Sequence, residues 1–417
     1  MNTPIKNIRK MLVTQALPYA NAPLHLGHIL EAVQTDIWTR FQNHNGNICH
    51  FFCADDTHGT PVMLKAKELG VDPEDLIDEV FKDHKSTYEL YGIQFANFYS
   101  THSDENKEYS EYIYKCAKEN NLISKMNIDQ LYDENEKMFL SDRFVSGTCP
   151  KCRAEHQNGD NCGVCGASYN VLDVIDPVSI ISNTTPIKKK TEHIFFDLPQ
   201  KSEMLKDFIK KVNLQESVKN KLSEWLNDDL KKWDISRDPP YFGFMIPDEV
   251  EKYFYVWVDA PIGYLASISN WAKKNNLDMN ELWSQKSDYE IHHFIGKDIA
   301  YFHGLFWPAL LSSANYKLPD SINVHGFLTI NGEKMSKSRG TGILAKDFVS
   351  VINPETLRYY FAAKLNNKVE DIDLNFEDYV QRINSDIVGK YLNIASRSAP
   401  FIKKNNNLLS KNINQDI

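Results

Sequence analysis

Along the first 120 residues, apolar positions fall alternately into short runs and into helical stripes. Residues 9–14 form an apolar run, broken by Pro18 and a loop at 19–23, and predict a strand. Residues 26–43 place Ile29, Leu30, Val33, Ile37, Trp38 and Phe41 at helical spacing, with Gly46 beyond their end. The run 48–53 suits a buried strand, and helical stripes recur at 61–69, 73–91 and 104–120. Strands alternating with helices predict a parallel sheet with helices packed on its faces. Between 121 and 231 the pattern gives way to Gly and Asn turns, four cysteines and the run Lys188, Lys189, Lys190, so this stretch reads as an insertion. The alternation then resumes with a strand at 253–258, a helix at 261–273, a strand at 291–295, a helix at 299–312 and a strand at 322–324. The predicted plan is an α/β sheet split by one large insertion, without internal repeats. Residues 376–402 carry Tyr379, Ile383, Ile387, Tyr391, Ile394 and Ala395 as the stripe of an amphipathic helix, which needs partners on that face. The polar, Asn-rich residues 403–417 supply few.

A chain of 417 residues suits two to three domains, and 42% hydrophobic residues are enough for a sizeable core. The formal charge of −9 argues against a protein that coats nucleic acid without specificity, while leaving room for a local basic groove. No apolar run approaches the ~20 residues that span a bilayer. Residues 1–10 lack the apolar core of a secretory signal, so a cytoplasmic location is expected.

In a reducing compartment a disulfide framework is disfavoured, which changes the reading of the seven cysteines. Cys149, Cys152, Cys162 and Cys165 form two Cys-x-x-Cys pairs close to zinc-ribbon spacing, among turns opened by Gly147, Gly159, Gly163 and Gly166. A closed four-sulfur site leaves no position for substrate, so one structural Zn2+ per chain is expected, against paired disulfides or idle thiols. Cys49, Cys53 and Cys116 read as buried thiols.

Two further motifs carry chemistry. His25-Leu26-Gly27-His28 stands where a strand and loop hand over to a helix, a place whose backbone N–H groups and dipole favour phosphate. The two histidines lie on one face of the first turn, and Gly27 leaves room for a purine against the backbone; a plain helix-capping pair is the bland alternative. The glycine-flanked loop 332–340 holds Lys334, Ser336, Lys337 and Ser338. Its ammonium groups suit the charge that grows on a leaving pyrophosphate, against the bland reading of a solvated basic turn.

Together these motifs resemble the paired signatures of class I aminoacyl-tRNA synthetases. The flanks 16–21, 54–59, 233–237, 255–264 and 294–298 look like the methionyl-tRNA synthetase family, of the bacterial type with a four-cysteine insertion, over nearly the whole chain. The resemblance implies a Rossmann-type catalytic domain in two halves, 1–120 and 232–325, split by a zinc-binding connective insertion at 121–231. A catalytic-loop and stem-contact region at 326–375 follows, and then the start of an α-helical, anticodon-binding domain at 376–417. On that reading the chain is C-terminally truncated, and tRNA selection is expected to be weak.

The resemblance also implies roles. His25, His28, Lys334 and Lys337 would be catalytic, and Gly27, Gly296, Asp298 and Lys337 would bind ATP with its Mg2+. Asp56 would pair with the α-ammonium of methionine. Leu17, Tyr19, Trp257, Ala260, Pro261, Tyr264, Ile299 and His303 would line the amino-acid pocket, although pattern alone favours plain core packing for Trp257 and Tyr264. Arg237 would stand near the pocket mouth. The implied activity is methionine–tRNA ligase: the methionine carboxylate attacks the α-phosphorus of ATP, pyrophosphate leaves, and methionine passes to the 3′ end of tRNA(Met) for initiation and elongation. The rivals are another class I synthetase, such as one for valine, isoleucine, leucine or cysteine, a small nucleotidylyltransferase, and a non-catalytic tRNA-binding adaptor. An insertion of ~110 residues is short for the editing domain that the first would need.

Overall fold

The structure is a computed structural model that describes residues 8–167, 169–228, 230–334 and 342–408. Its centre is a parallel sheet built from β1 (Lys10–Gln15), β2 (Ile48–Asp55), β3 (Asn97–Ser100), β4 (Tyr289–Gly296) and β5 (Ser321–His325) in the order β5-β4-β1-β2-β3. β1 is central because Met11, Leu12 and Val13 are fully buried and can face apolar layers on both sides. The chain turns one way from β1 to β2 through α1 (Leu26–His44), while β4 lies on the other flank of β1. Strand order reverses between β1 and β4, and a crevice opens there at the carboxyl ends of the strands.

Helices cover both faces. On one face α1 buries Leu26, Ile29, Leu30 and Val33 against Phe51, Tyr88 of α3 (Pro73–Leu90), and Leu328, Phe348, Tyr360 and Phe361 from the later chain. Each such side chain contributes about 1.5–3 kcal/mol of burial. Arg358 ties this layer to α1 through Asp36 at 2.6 Å. The other face carries α4 (Asp104–Glu119) and α5 (Ile262–Lys274), with Leu12, Phe52, Ile113, Leu265 and Ile295 in the larger core.

Between the two halves an antiparallel sheet pairs Ile123–Asp133 with Ile187–Phe196 and continues to Trp233–Asp234. A small core of Leu131, Leu140, Phe144 and Val174 lies beneath it, touched by Met63 and Leu64 of α2 (Thr60–Leu69).

Four expectations need correction. The strand expected at 253–258 stops at Phe254, and Val256–Asp259 is a helical turn. There Val256 N–H is taken by Tyr241 Oη at 3.0 Å, and Ala260 N–H closes on Val256 O at 2.8 Å, so tertiary partners override the β-branched pattern. The helix expected at 299–312 opens with a 3-10 turn, Lys297–Ile299, and widens to a π segment, Phe302–Phe306, before Trp307–Ser313. Pro308 has no N–H for the regular ladder, and Trp307 N–H donates five residues back to Phe302 O. The stripe at 376–402 is not one regular helix: Phe376–Arg382, a π segment Ile383–Tyr391 and Leu392–Lys404 follow each other. Its four-residue spacing is wider than the helical 3.6, and of the stripe only Tyr379 is buried while Tyr391 and Ile394 are exposed. Cys49 and Cys53 are buried as expected, but Cys116 is only half-buried.

Candidate active site

The loop after β1 delivers His25 to the N-cap of α1, where its backbone is extended (φ −109°, ψ 171°). Gly27 N–H donates to His25 Nδ1 at 3.1 Å, and His25 N–H donates to His28 Nδ1 at 3.2 Å. The two rings stack with centroids 3.8 Å apart. Capping and phosphate binding are therefore compatible roles. Each Nδ1 is an acceptor, so each neutral ring carries its hydrogen on Nε2. Both residues border one cleft of about 610 Å³ at the strand ends.

The far flank of the lysine–serine loop meets the same helix cap. His25 and Leu344 form an antiparallel rung, with Leu26 N–H on Ile343 O at 3.2 Å and Ala345 N–H on Leu24 O at 2.8 Å. Tyr91 Oη donates to Ala345 O at 2.9 Å, and Lys346 pairs with Asp83 of α3 at 2.5 Å. The near flank, Glu333–Lys334, pairs with Leu328–Ile330 as a hairpin. Lys337, Ser336 and Ser338 lie outside the described residues, as does the side chain of Lys334.

Each residue expected to hold methionine borders this cleft: Leu17, Tyr19, Asp56, Trp257, Ala260, Pro261, Tyr264, Ile299 and His303. The ring of Trp257 stacks on Phe302 at 4.1 Å. At the buried end His303 Nδ1–H donates to Ile299 O at 3.1 Å, since a carbonyl can only accept. His303 Nε2 then accepts from Tyr264 Oη at 2.9 Å. Burial holds His303 down to about 4, so the ring is neutral near pH 7 and the pocket floor carries no charge. His293 supports the floor from β4: its Nε2 accepts from Trp307 Nε1 at 3.1 Å, and its Nδ1 lies 2.6 Å from Thr14 Oγ1. Arg237, expected near the mouth, is not among the residues bordering the cleft; its guanidinium lies over Tyr255 at 3.7 Å.

Gly27, Gly296 and Asp298, expected at the ATP, also border the cleft. Two residues there were not anticipated. His325, at the end of β5, faces Glu31 Oε2 with Nε2 at 2.9 Å and Gly326 O with Nδ1 at 2.7 Å. Both ring nitrogens face acceptors, the arrangement of an imidazolium, and Glu31 with the Gly326 carbonyl holds His325 above its usual value against the opposing effect of burial. Glu31 stands one turn beyond His28 on the same face of α1, a spacing the sequence displays. Phe302, Phe306 and Trp307 also border the cleft unanticipated.

Outside the cleft, the four cysteine sulfurs gather with all Sγ atoms within 4.8 Å of one another. Cys149 and Cys165 sulfurs are 3.9 Å apart and those of Cys152 and Cys162 3.5 Å, too far for bonds between them. A tetrahedral ion with metal–sulfur bonds of about 2.3 Å sets its sulfurs about 3.8 Å apart, so the cluster fits a metal ion. The two knuckles repeat one geometry: Cys149 N–H donates to Ala154 O at 2.8 Å and Cys162 N–H to Ala167 O at 2.9 Å. The backbone N–H of Cys165 leads in holding Cys162 down to about 6, which favours the thiolate a metal needs.

A parallel α/β sheet with a histidine-capped helix at its switch point and a four-sulfur insertion is the plan expected of a class I synthetase. The chain belongs to the tRNA synthetases class I (M), the methionine branch, whose family model matches residues 11–399. It is an aminoacyl-tRNA ligase. The chain is similar to a Mycobacterium tuberculosis methionyl-tRNA synthetase solved in complex with methionyl-adenylate, at 26% identity and a TM-score of 0.75, over 95% of this chain and 72% of that one. A further structure of that organism's methionyl-tRNA synthetase, bound by methionyl-adenylate, matches at 24% identity and a TM-score of 0.76, over 96% and 73% of the two chains, and shows likeness of fold.

Proposed function

We propose that this cleft binds L-methionine and Mg-ATP, forms methionyl-adenylate with release of pyrophosphate, and then passes methionine to the 3′ end of tRNA(Met) in the cytoplasm. The observation that carries the reading is convergence. Asp56, the neutral Tyr264–His303 floor and the His25/His28 pair all border one cleft at the switch point of the sheet. The relative at 26% identity holds methionyl-adenylate, the product of that first step.

The residues divide the work. Asp56 takes the ammonium, and the stacked Trp257 and Phe302 with Tyr264 surround the thioether, where sulfur–aromatic contacts contribute about 0.3–1.5 kcal/mol each. His25 and His28 offer Nε2–H to phosphate oxygens, and the N-terminus of α1 adds its dipole. Asp298 accepts from ribose hydroxyls. Lys334 and Lys337 counter the charge on the departing phosphates, and Mg2+ would arrive with the nucleotide as part of the substrate and add to that charge stabilisation. The attacking carboxylate is already an anion, so positioning and charge stabilisation suffice and no general base is required.

Methionine-dependent ATP–pyrophosphate exchange, run beside the other amino acids, tests the reading. Leucine and norvaline should fall below methionine by roughly 10–200-fold, the range for small apolar differences. Exchange that follows another amino acid, or none, would overturn it.

The ion at Cys149, Cys152, Cys162 and Cys165 is zinc on this reading, closed by four thiolates and structural, holding the insertion 121–231 where the tRNA acceptor end enters. Cys149→Ser is expected to lose the metal and lower the melting temperature, since zinc binding of this kind is itself folding free energy. Stoichiometric zinc with unchanged melting would refute the assignment.

A further inference from the structure

Two loops that border the cleft are joined by a buried pair that does not. The loop after β2 carries Asp56, and two residues on stands His58. The turn Val256–Asp259 carries Trp257, and two residues on stands Asp259, just ahead of Ala260 and Pro261. Asp56, Trp257, Ala260 and Pro261 border the cleft, whereas His58 and Asp259 stand behind it. Both are buried, at 0% and 1% exposure. Asp259 Oδ2 accepts from His58 Nδ1. Asp259 Oδ1 has no partner, so among the described residues His58 is that carboxylate's one hydrogen-bonding partner.

The surroundings leave this pair one arrangement. Phe244 and Phe242 meet the His58 ring edge-on, with centroids 4.6 and 5.6 Å away. His58 Nε2 lies 3.0 Å from His102 Nδ1, and Tyr19 Oη donates to His58 O at 2.6 Å. From α4, Asn106 Nδ2 donates to Asp259 O at 3.2 Å. Both loops also hold the segment between Tyr241 and Phe242: Val256 N–H donates to Tyr241 Oη at 3.0 Å, and Gly59 N–H to Phe242 O at 2.8 Å. Gly59 has φ +107°, and a Cβ there would stand 2.9 Å from Tyr19 Oη and 3.6 Å from Val256 Cβ. The two loops are therefore in close contact beside the pair.

Apolar contact alone lets one loop slide past another, whereas a hydrogen bond between two planar groups fixes a distance and a direction. A buried ionisable pair is weak evidence for stability, since well-packed apolar residues of similar volume often serve as well. What this pair holds is a span. Asp56 stands on one loop, and Trp257, stacked on Phe302 at 4.1 Å, stands on the other. A misplacement of about 1 Å from a residue outside the chemistry can cost about a hundredfold.

We infer that His58 and Asp259 are positioning residues that set the span between Asp56 and Trp257, and through it the length of amino-acid side chain the site accepts. The inference rests on the reading that Asp56 receives the ammonium and Trp257 borders the thioether. Neither His58 nor Asp259 touches substrate; each acts through the cleft residue two positions before it.

Steady-state ATP–pyrophosphate exchange with methionine and with ethionine, one methylene longer, tests this in two near-isosteric variants. In His58→Asn the amide nitrogen can take the place of Nδ1 and donate to Asp259. In His58→Gln the amide reaches toward the place of Nε2 and His102, and Asp259 loses its donor. His58→Gln is expected to raise the KM for methionine about 10- to 100-fold, with the KM for ATP within about twofold of wild type. It should also narrow the methionine-over-ethionine ratio of kcat/KM by about tenfold, within the range one methylene can supply. His58→Asn should keep both quantities close to wild type. Equal behaviour of the two variants, or a loss shared equally by the two Michaelis constants, would overturn the inference. Should His58→Gln not fold, Asp259→Ala against Asp259→Asn carries the same comparison, because the asparagine oxygen can still accept from His58. Failure of Asp259→Ala to fold as well would make the pair a requirement of folding and overturn the inference too. Wild-type exchange that does not depend on methionine would instead overturn the reading of the amino-acid site.

Discussion

Asp56→Ala is expected to lower kcat/KM for methionine in pyrophosphate exchange by about a thousandfold, mostly through KM, with little change in the KM for ATP. The magnitude follows from the 2–5 kcal/mol, roughly 30- to 5,000-fold, lost when one partner of a shielded charge pair is removed. The upper half of that range applies here because Asp56 Oδ1 is shielded from water in a pocket whose floor, Tyr264 and His303, is neutral. An ammonium brought there without its carboxylate would lose its hydration and gain no counter-charge. The variant should fold, since Asp56 supports its surroundings through its backbone: its N–H donates to Pro18 O at 2.9 Å and its carbonyl accepts from Ala20 at 2.8 Å. Steady-state exchange at varied methionine and ATP separates the two Michaelis constants. A loss shared equally between them would remove Asp56 from the ammonium site.

His28→Ala should cost about a hundred- to a thousandfold in kcat, the range for deleting one preorganised donor to developing charge. Two conservative variants then separate the roles of the ring. In His28→Asn the amide oxygen can take the place of Nδ1 and accept from His25 N–H, so the cap and the melting temperature should survive while rate is lost. In His28→Gln the amide reaches toward the position of Nε2 and should recover part of the rate. The two measurements are kcat in exchange and thermal melting. A His28→Asn variant as active as wild type would place the phosphate donor elsewhere.

Long, strongly periodic stretches were legible because one pattern had one outcome: the stripe of α1 and the run of β2 stand where their residues put them. Legibility failed where partners distant in sequence decide. β3 was missed because Asn97–Ser100 is a short edge strand, recruited by β2 with no apolar run of its own. Residues 253–258 look like a strand to any reading by pattern, and only Tyr241 turns Val256 into a helix start. At the site, the two motifs and the family resemblance pointed to the residues around the cleft, but not to Glu31 and His325, which come together from positions 294 residues apart. Glu31 had a signal in its spacing from His28, and His325 in its place at a strand's carboxyl end, yet neither implies the pair.

The register of β1 carries a consequence for how the molecule is made. One edge of β1 pairs with residues 48–52, close by in sequence, while the other pairs with residues 289–294. On a ribosome adding about 5–20 residues per second, that second edge waits on the order of 15–55 s for its partner. During that interval the central strand of the sheet presents an open row of backbone donors and acceptors, the kind of edge that recruits other chains. The intervening residues pair among themselves, Ile123–Asp133 with Ile187–Phe196 and within the two cysteine knuckles, and can fold while β1 waits. Nascent chains stalled before residue 289 should therefore be the species that chaperones bind and that aggregate when translation slows.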